Sequence, residues 1–235
     1  MSKEKFLATF WRLFGDLCPI SSQKCIVTAK KELSLFSMKD LKNIVFDLGG
    51  VVVARDRYKV SREFADFFAF VCCTPMPEFW VEYDRGTKTR AEVEQIMAEI
   101  KGCSIERCHE AMAAAIDIQA PIPCTEQLIA ELKERGYRLL VLSNMSSDFI
   151  ERIRHFDVYR QFEGDVVSCE EQTVKPEAEI YRILLDRFAL NPSETLFIDD
   201  REVNLRAAEQ FGISTFHFTE PREESCDRLR ELLLQ

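Results

Sequence analysis

The sequence predicts an α/β protein in which helices cover both faces of a parallel sheet, with a separate helical insertion. Three observations support this fold class. Residues 124–235 alternate between short apolar segments and amphipathic helical segments, which is typical of parallel βα units. An apolar run, Asn43–Val53, predicts an additional buried strand upstream. Between these two regions, residues 56–123 show helical periodicity only.

Local patterns predict each element in turn. In the insertion, Phe64, Phe67, Phe68 and Val71 recur at helical spacing, so we expect them to form the interior of a helical bundle. Gly136 and Gly212 are expected to end two helices of the alternating region. Helices are predicted over residues 91–100, 105–116, 125–135, 148–154, 176–188, 202–211 and 223–234, and strands over residues 138–142, 165–168, 195–198 and 213–218.

The predicted organisation is a core of residues 38–55 and 124–235, a helical cap of residues 56–123 and an N-terminal extension of residues 1–37. The extension carries apolar residues at helical spacing beside basic residues, which is compatible with a helix that contacts a membrane surface or another subunit. It does not have the pattern of a signal peptide. The favoured interpretations are a loosely packed extension, or a chain that starts at Met38.

Composition limits the classes of function. Of the 235 residues, 46% are hydrophobic and 30% are charged, which is typical of a globular protein. The formal net charge of −9 disfavours nucleic acid as a partner. No run approaches the ~18 apolar residues that a membrane span requires. The nine cysteines have irregular spacing, so we expect reduced thiols and a cytoplasmic location.

Polar residues stand where three of the predicted strands end and just before one of the helices. Because the carboxyl ends of parallel strands meet at one edge of a sheet, we expect these side chains to share a crevice. Two glycines after the first strand would let the backbone turn sharply and approach a ligand. The residues are Asp47, Ser143, Asn144, Lys175, Asp199 and Asp200, and the glycines are Gly49 and Gly50.

This set of motifs resembles the haloacid dehalogenase superfamily, in its branch of phosphatases with a helical cap after the first strand. The motifs are Phe46–Val51, Leu142–Asn144, Lys175–Pro176 and Phe197–Asp200, and the resemblance extends from about Lys42 to the C-terminus. The chain is more similar to the small sugar-phosphate and nucleotide phosphatases than to the dehalogenases. The resemblance implies a Rossmann-like core and a Mg²⁺-dependent phosphatase of small phosphorylated metabolites, such as sugar phosphates.

The resemblance also implies a role for each carboxylate. Asp47 would attack phosphorus and form an aspartyl-phosphate. Mg²⁺ would be bound by Asp47, by Asp200, by the backbone carbonyl of Gly49 and, nearby, by Asp199. Oxygen ligands of this kind match Mg²⁺ rather than zinc.

The remaining polar residues are assigned in the same way. Ser143 and the amide of Asn144 would donate to phosphoryl oxygens, and Lys175 would hold Asp47 and the phosphate together as a point charge. Asn204, on the first turn of a predicted helix, would orient the carboxylates. In the cap, Arg85 and Lys88 could contact an anionic substrate or could lie on a solvated turn.

One position departs from the family pattern. The family has a second aspartate two residues after the first, and this chain has Gly49 there. Asp56 is the nearest acidic substitute in sequence, although an exposed hinge aspartate is the favoured interpretation of it. Two alternatives to a phosphatase therefore stay open. One is a non-catalytic binding or regulatory protein with this fold, and the other is a metal-independent dehalogenase, which the paired Asp199 and Asp200 disfavour.

Overall fold

A computed structural model describes residues 40–56, 58–72 and 75–235 of the chain. Its central feature is a five-stranded, all-parallel sheet in the order β5-β4-β1-β6-β7. The prediction of a parallel α/β core is therefore confirmed. The strands of this sheet are β1 (Asn43–Phe46), β4 (Arg138–Ser143), β5 (Gly164–Val167), β6 (Thr195–Asp199) and β7 (Ser214–His217).

Helices cover both faces of the sheet. Alternate residues of β1 point to opposite faces. Phe46 belongs to an apolar cluster with Leu128 and Leu229, whereas Val45 belongs to a second cluster with Ile180. The helices are α1 (Arg62–Phe67), α2 (Glu78–Arg85), α3 (Arg90–Lys101), α4 (Ile105–Asp117), α5 (Pro123–Glu134), α6 (Ser147–Ile153), α7 (Ser168–Glu171), α8 (Ala178–Arg187), α9 (Glu202–Glu209) and α10 (Arg222–Leu233).

The composition of the run Asn43–Val53 predicted one strand, but the structure divides this run into two strands separated by a turn. Strand β1 stops at Phe46, and the amides of Val52 and Val53 then both donate to the carbonyl of Leu48 at 2.9 Å, which makes a tight turn. A short strand β2 (Val53–Arg55) follows and pairs antiparallel with β3 (Gln119–Pro121). The sequence did not predict this pair, which flanks the helical insertion on both sides.

The insertion has an apolar core of its own. The phenylalanine stripe of the sequence packs there, around Phe68, Trp80 and Met97. The helix that carries the stripe ends at Phe67, and a 3₁₀ turn, Ala69–Cys72, continues it. Helix α2, which extends to Arg85, was not among the helices predicted from the sequence. We retain residues 56–123 as the proposed cap.

The interpretation of residues 1–37 lies outside the described residues. Within the described part of the chain, no helix is both long enough and apolar enough to cross a membrane.

Candidate active site

The candidate site lies at the carboxyl end of the central strand. Strand β1 is flanked by β4 and β6, with Phe46 level with Val141 on one side and with Ile198 on the other. The residues that follow or end these strands are therefore neighbours in space. This register brings Asp47, Ser143 and Asp199 together, as the sequence predicted.

Asp47 is buried, and three donors converge on one of its carboxylate oxygens. Its Oδ1 accepts hydrogen bonds from the backbone of Leu48 at 2.7 Å and from the hydroxyl of Ser143 at 2.9 Å, and it pairs with Nζ of Lys175 at 2.9 Å. Among the described residues, no donor contacts Oδ2. The group is thus fixed through one oxygen, and the other oxygen remains available for attack on a ligand.

Lys175 is the buried cation of the site. Its Nζ contacts Asp199 at 2.7 Å and the carbonyl of Leu142 at 3.0 Å, in addition to Asp47. Burial lowers the pKa of the Lys175 ammonium, but the charges of Asp199 and Asp47 more than offset this effect and the net pKa is raised. Burial also raises the pKa of Asp47, and the pairing with Lys175 opposes that shift. The lysine is therefore a charged ammonium between two carboxylates.

The side chain of Asn144 holds Lys175 in place through hydrogen bonds to the backbone of Lys175. The side-chain amide of Asn144 donates to the carbonyl of Lys175 at 2.9 Å, and its Oδ1 accepts from the Lys175 amide at 2.7 Å. The side chain of Asn144 is thus already paired in the structure.

The expected helix start at Pro176 is wrong by two residues, because α8 begins at Ala178 and Glu177 precedes it as the N-cap.

Three carboxylates form a cluster that can bind a metal ion. Ligand oxygens of Asp47, Asp199 and Asp200 lie within 4.8 Å of one another. Lys175 supplies one positive charge among these three groups. Loss of hydration in the crevice raises the pKa of Asp200 to about 7, and the charges of Asp47 and Asp199 add to the shift. This accumulation of negative charge on oxygen ligands fits a hard divalent cation such as Mg²⁺.

The two glycines after Asp47 have different surroundings. Gly50 has a φ of +78°, and a Cβ there would lie 2.7 Å from Oδ2 of Asp200. Gly50 therefore provides both the left-handed turn and the space for Asp200. A Cβ at Gly49 would contact nothing within 4 Å. The position of the missing second aspartate is thus open space.

Asp199 and Asn204 behave as a pair. Asp199 is fully buried, and Nδ2 of Asn204 lies 3.0 Å from each of its carboxylate oxygens. The backbone amide of Arg201 also donates to Asp199 at 2.7 Å. Asn204 orients a carboxylate, as expected. Because donors already occupy both oxygens of Asp199, its assignment as a metal ligand stays a prediction, and Asp200 is the more accessible carboxylate.

Helix α2 of the insertion reaches the site at its C-terminal end. The backbone amide of Ser146, in the loop after β4, donates to the carboxyl group of Asp84, and this carboxyl group lies within electrostatic range of Asp47 and Arg201. Asp84 was not among the site residues predicted from the sequence. Its one local signal was an acidic residue close before Gly86, a helix-ending glycine.

Arg85 and Lys88, the two cap residues for which the sequence allowed contact with a substrate, are engaged in ion pairs. Arg85 makes a bidentate pair with Glu177 at 2.6 and 2.7 Å, and Nζ of Lys88 lies 3.4 Å from Glu82. The pair with Arg85 lowers the pKa of Glu177 to about 2. Arg85 therefore ties the cap to the segment that carries Lys175, and the structure favours this role over contact with a substrate.

Comparison with known proteins agrees with this geometry. The family model of haloacid dehalogenase-like hydrolases matches residues 41–212. D-ribitol-5-phosphate phosphatase of Bacteroides thetaiotaomicron is 24% identical over 75% of this chain and 91% of its own length. A sesquiterpene phosphatase of Aspergillus oryzae is 30% identical over 45% of this chain.

A solved structure shares the fold. A HAD family enzyme of Bacteroides thetaiotaomicron, crystallised with magnesium and inorganic phosphate, superposes with a TM-score of 0.61 and is 28% identical over 76% of this chain and 94% of its own. The chain spans only part of some curated relatives, 54% of the sesquiterpene phosphatase and 15% of another protein. The family match nevertheless covers most of the described residues, and the chain belongs to the haloacid dehalogenase-like hydrolases.

Proposed function

We propose that this chain is a Mg²⁺-dependent phosphatase that hydrolyses a small phosphorylated metabolite through an aspartyl-phosphate on Asp47. The observation that carries the proposal is the contact set of Asp47. Ser143 and Lys175 hold its Oδ1, while the carboxylates of Asp199 and Asp200 lie close by. Phosphoryl transfer needs such a positioned nucleophile within a site that supplies positive charge.

Each residue of the site has a separate role in the reaction. Oδ2 of Asp47 attacks phosphorus in line with the leaving oxygen. Lys175 stabilises the negative charge of the phosphoryl group, and Ser143 donates to the nucleophile and, once phosphate is bound, to a phosphoryl oxygen. Asp47, Asp200 and the carbonyl of Gly49 would hold Mg²⁺. When bound, the ion would neutralise the charge that otherwise repels an anionic substrate from the carboxylates.

The two alternatives are less consistent with the site. A dehalogenase that acts without a metal has no need of three carboxylates within 4.8 Å. A non-catalytic descendant of the family would be free to lose the buried Lys175 and its partners, yet this network is complete. The names of the relatives, which include a polyol-phosphate phosphatase and a sesquiterpene phosphatase, favour phosphate esters over organic halides. Sugar and polyol phosphates are the substrate class to test first.

A cytoplasmic location remains part of the proposal. It rests on the cysteines at positions 103, 108, 124, 169 and 226, which are free thiols.

The decisive experiment is phosphate release from a panel of metabolite phosphates, with Mg²⁺ and with EDTA. We expect release with Mg²⁺ only, and none from Asp47→Asn, which keeps the size of the side chain but lacks the nucleophilic oxygen pair. A halide-releasing activity that survives EDTA would support the dehalogenase alternative. Activity of Asp47→Asn near that of the wild type would contradict the covalent mechanism.

A further inference from the structure

The leaving oxygen of a phosphate ester needs a proton, and the structure shows no side chain for this task at position 49. Gly49 leaves open space beside the nucleophile. General acid–base catalysis of this kind typically contributes about 10²–10⁴-fold to the rate. The question is which group of the described residues can reach this space.

The acidic groups of the core that lie at the site, Asp199 and Asp200, already have other roles. Asp199 accepts from Lys175, Asn204 and the backbone of Arg201. Asp200 belongs to the proposed metal site. Neither is free to hold and release a proton at the leaving oxygen.

Asp56, the substitute that the sequence suggested, also has another role. Its Oδ1 accepts from the backbone amide of Tyr58 at 3.0 Å, and its Oδ2 lies 3.9 Å from Lys59. Its own amide donates to the carbonyl of Ile118 at 2.7 Å. These contacts belong to the β2–β3 connection of the insertion, so the hinge interpretation of Asp56 is favoured.

His217 is a third candidate, because it lines a cavity together with Gly50 and Asp200, but its ring is already engaged. It ends β7, which is separated from β1 by the whole width of β6. Neighbouring strands lie about 4.8 Å apart, so the backbone of His217 is roughly 10 Å from the nucleophile strand. Its Nε2 contacts the backbone carbonyl of Asp200 at 3.1 Å.

Asp84 remains, and the cap places it at the site. The last turn of α2 packs against α7, where the hydroxyl of Ser168 donates to the carbonyl of Asp84 at 2.5 Å. A Cβ at Gly86 would lie 2.4 Å from the carbonyl oxygen of Cys169, so this turn is closely seated on the core. These two contacts fix the backbone at the carbonyl of Asp84 and two residues after it.

The side chain itself is directed toward the catalytic loops. Its carboxyl group accepts a hydrogen bond from the backbone amide of Ser146 and lies within electrostatic range of Asp47 and Arg201. Asp84 is half-buried, and the loss of hydration around its carboxyl group raises its pKa to about 7. A carboxyl group in this state can carry a proton at neutral pH.

We propose that Asp84, supplied by the cap, is the general acid and base that replaces the aspartate missing at position 49. This inference rests on the proposed phosphatase function. In the first step, Oδ2 of Asp47 forms a bond to phosphorus while the bond to the ester oxygen breaks, and the proton of Asp84 passes to that oxygen to give the alcohol. In the second step, water attacks phosphorus, its proton passes to Asp84, and the bond to Asp47 breaks. Inorganic phosphate is released and both aspartates return to their initial states.

The test compares Asp84→Asn with the wild type on two substrates. A primary alkyl phosphate, glycerol 3-phosphate, requires a proton on its leaving oxygen, whereas the nitrophenolate of p-nitrophenyl phosphate leaves without one. We expect Asp84→Asn to lower kcat/KM for the alkyl substrate by about 10²–10⁴-fold and to change it for the aryl substrate by less than tenfold. Equal losses on both substrates, or no loss on either, would overturn the assignment.

Two further variants distinguish a loss of proton donation by Asp84 from a displacement of the cap. Tyr83→Phe is the matched control, because Tyr83 is the neighbour of Asp84 on α2 and donates to Asp148 of the core at 2.6 Å. Its effect should be the same on both substrates. In the double variant Asp84→Asn/Gly49→Asp, the new carboxylate enters the open space at position 49 and should restore the alkyl activity selectively. A double variant that is no better than Asp84→Asn alone on the alkyl substrate would count against the proposal.

The same assays distinguish a failure of this assignment from a failure of the proposed function. Wild-type protein that releases phosphate from neither substrate with Mg²⁺ overturns both. Wild-type activity that Asp47→Asn abolishes and Asp84→Asn leaves unchanged overturns only the assignment of Asp84. If His217→Gln then shows the selective loss on the alkyl substrate, the acid is His217 instead.

Discussion

The two glycines after the nucleophile allow a sharp test of how the site is built. Gly49→Ala and Gly50→Ala add the same methyl group at adjacent positions. A Cβ at Gly49 has no neighbour within 4 Å, whereas a Cβ at Gly50 sits on a backbone with φ of +78° and 2.7 Å from Oδ2 of Asp200. The pair therefore separates the general effect of losing a glycine from the specific demands of position 50.

The magnitudes follow from these surroundings. Replacing glycine by alanine restricts the unfolded chain by the same amount at both positions, so this term cancels in the difference. The left-handed conformation costs a non-glycine residue roughly 1–2 kcal/mol. We expect the free energy of unfolding of Gly50→Ala to be lower than that of Gly49→Ala by about this amount, which corresponds to a difference of roughly 2–8 °C in Tm.

The clash with Asp200 adds a functional effect. The carboxylate must move away from the new methyl group, and a ligand displaced in this way binds Mg²⁺ less well. A loss of about 1.4 kcal/mol would raise the Mg²⁺ concentration for half-maximal activity tenfold. We expect this increase for Gly50→Ala and a value close to that of the wild type for Gly49→Ala.

Thermal unfolding in EDTA and Mg²⁺ titration of phosphatase activity measure the two effects independently. Equal Tm values for the two variants would refute the conformational argument. Equal Mg²⁺ requirements would refute the assignment of Asp200 as the ligand beside Gly50.

Three further predictions concern the charges of the site. Asp200→Ala should raise the Mg²⁺ requirement more than Gly50→Ala does. The Tm of Asp200→Ala in EDTA should not fall, because a crowded carboxylate is removed. An unchanged Mg²⁺ titration would contradict the role of Asp200 as a ligand. Lys175→Met should lower the free energy of unfolding in EDTA by roughly 3–5 kcal/mol, because it leaves two buried carboxylates without their cation. A decrease below about 1 kcal/mol in chemical denaturation would show that the ion pair is not needed for stability. Asp84 donates a proton only in its protonated form, so with a pKa of about 7 the kcat/KM for alkyl phosphates should fall as the pH rises through 7. A pH–rate profile of Asp84→Asn should lack this limb, and its persistence in that variant would assign the limb to another group.

The sequence by itself determined the sheet and the residues at its edge. Apolar strand segments that end in Asp47, Ser143 and Asp199 could be recognised locally, because the burial of a parallel strand leaves a continuous apolar run. The convergence of these residues followed from the general geometry of parallel sheets. The family motifs added Lys175, whose buried position between two carboxylates no local pattern could reveal.

Helix and strand ends were less well determined. The β-branched residues after Gly50 favoured a longer first strand, but the turn around Leu48 ended that strand at Phe46. The pairing of β2 with β3 joins segments on opposite sides of the insertion. A local pattern cannot specify such a partner, because the two strands are separated in sequence by the whole insertion.

Only the tertiary structure decided what the cap contributes to the site. In the sequence, Arg85 and Asp84 were adjacent members of a charged turn, and the basic residue was the better candidate for contact with an anionic substrate. The fold pairs Arg85 with Glu177 and turns Asp84 toward the loops of the core. The direction of a side chain at a helix end depends on the surface against which the helix packs, and that surface is formed by residues distant in sequence. The physical reason is that burial and electrostatic surroundings, which give Asp84 its raised pKa, belong to the assembled structure and not to any segment of the chain.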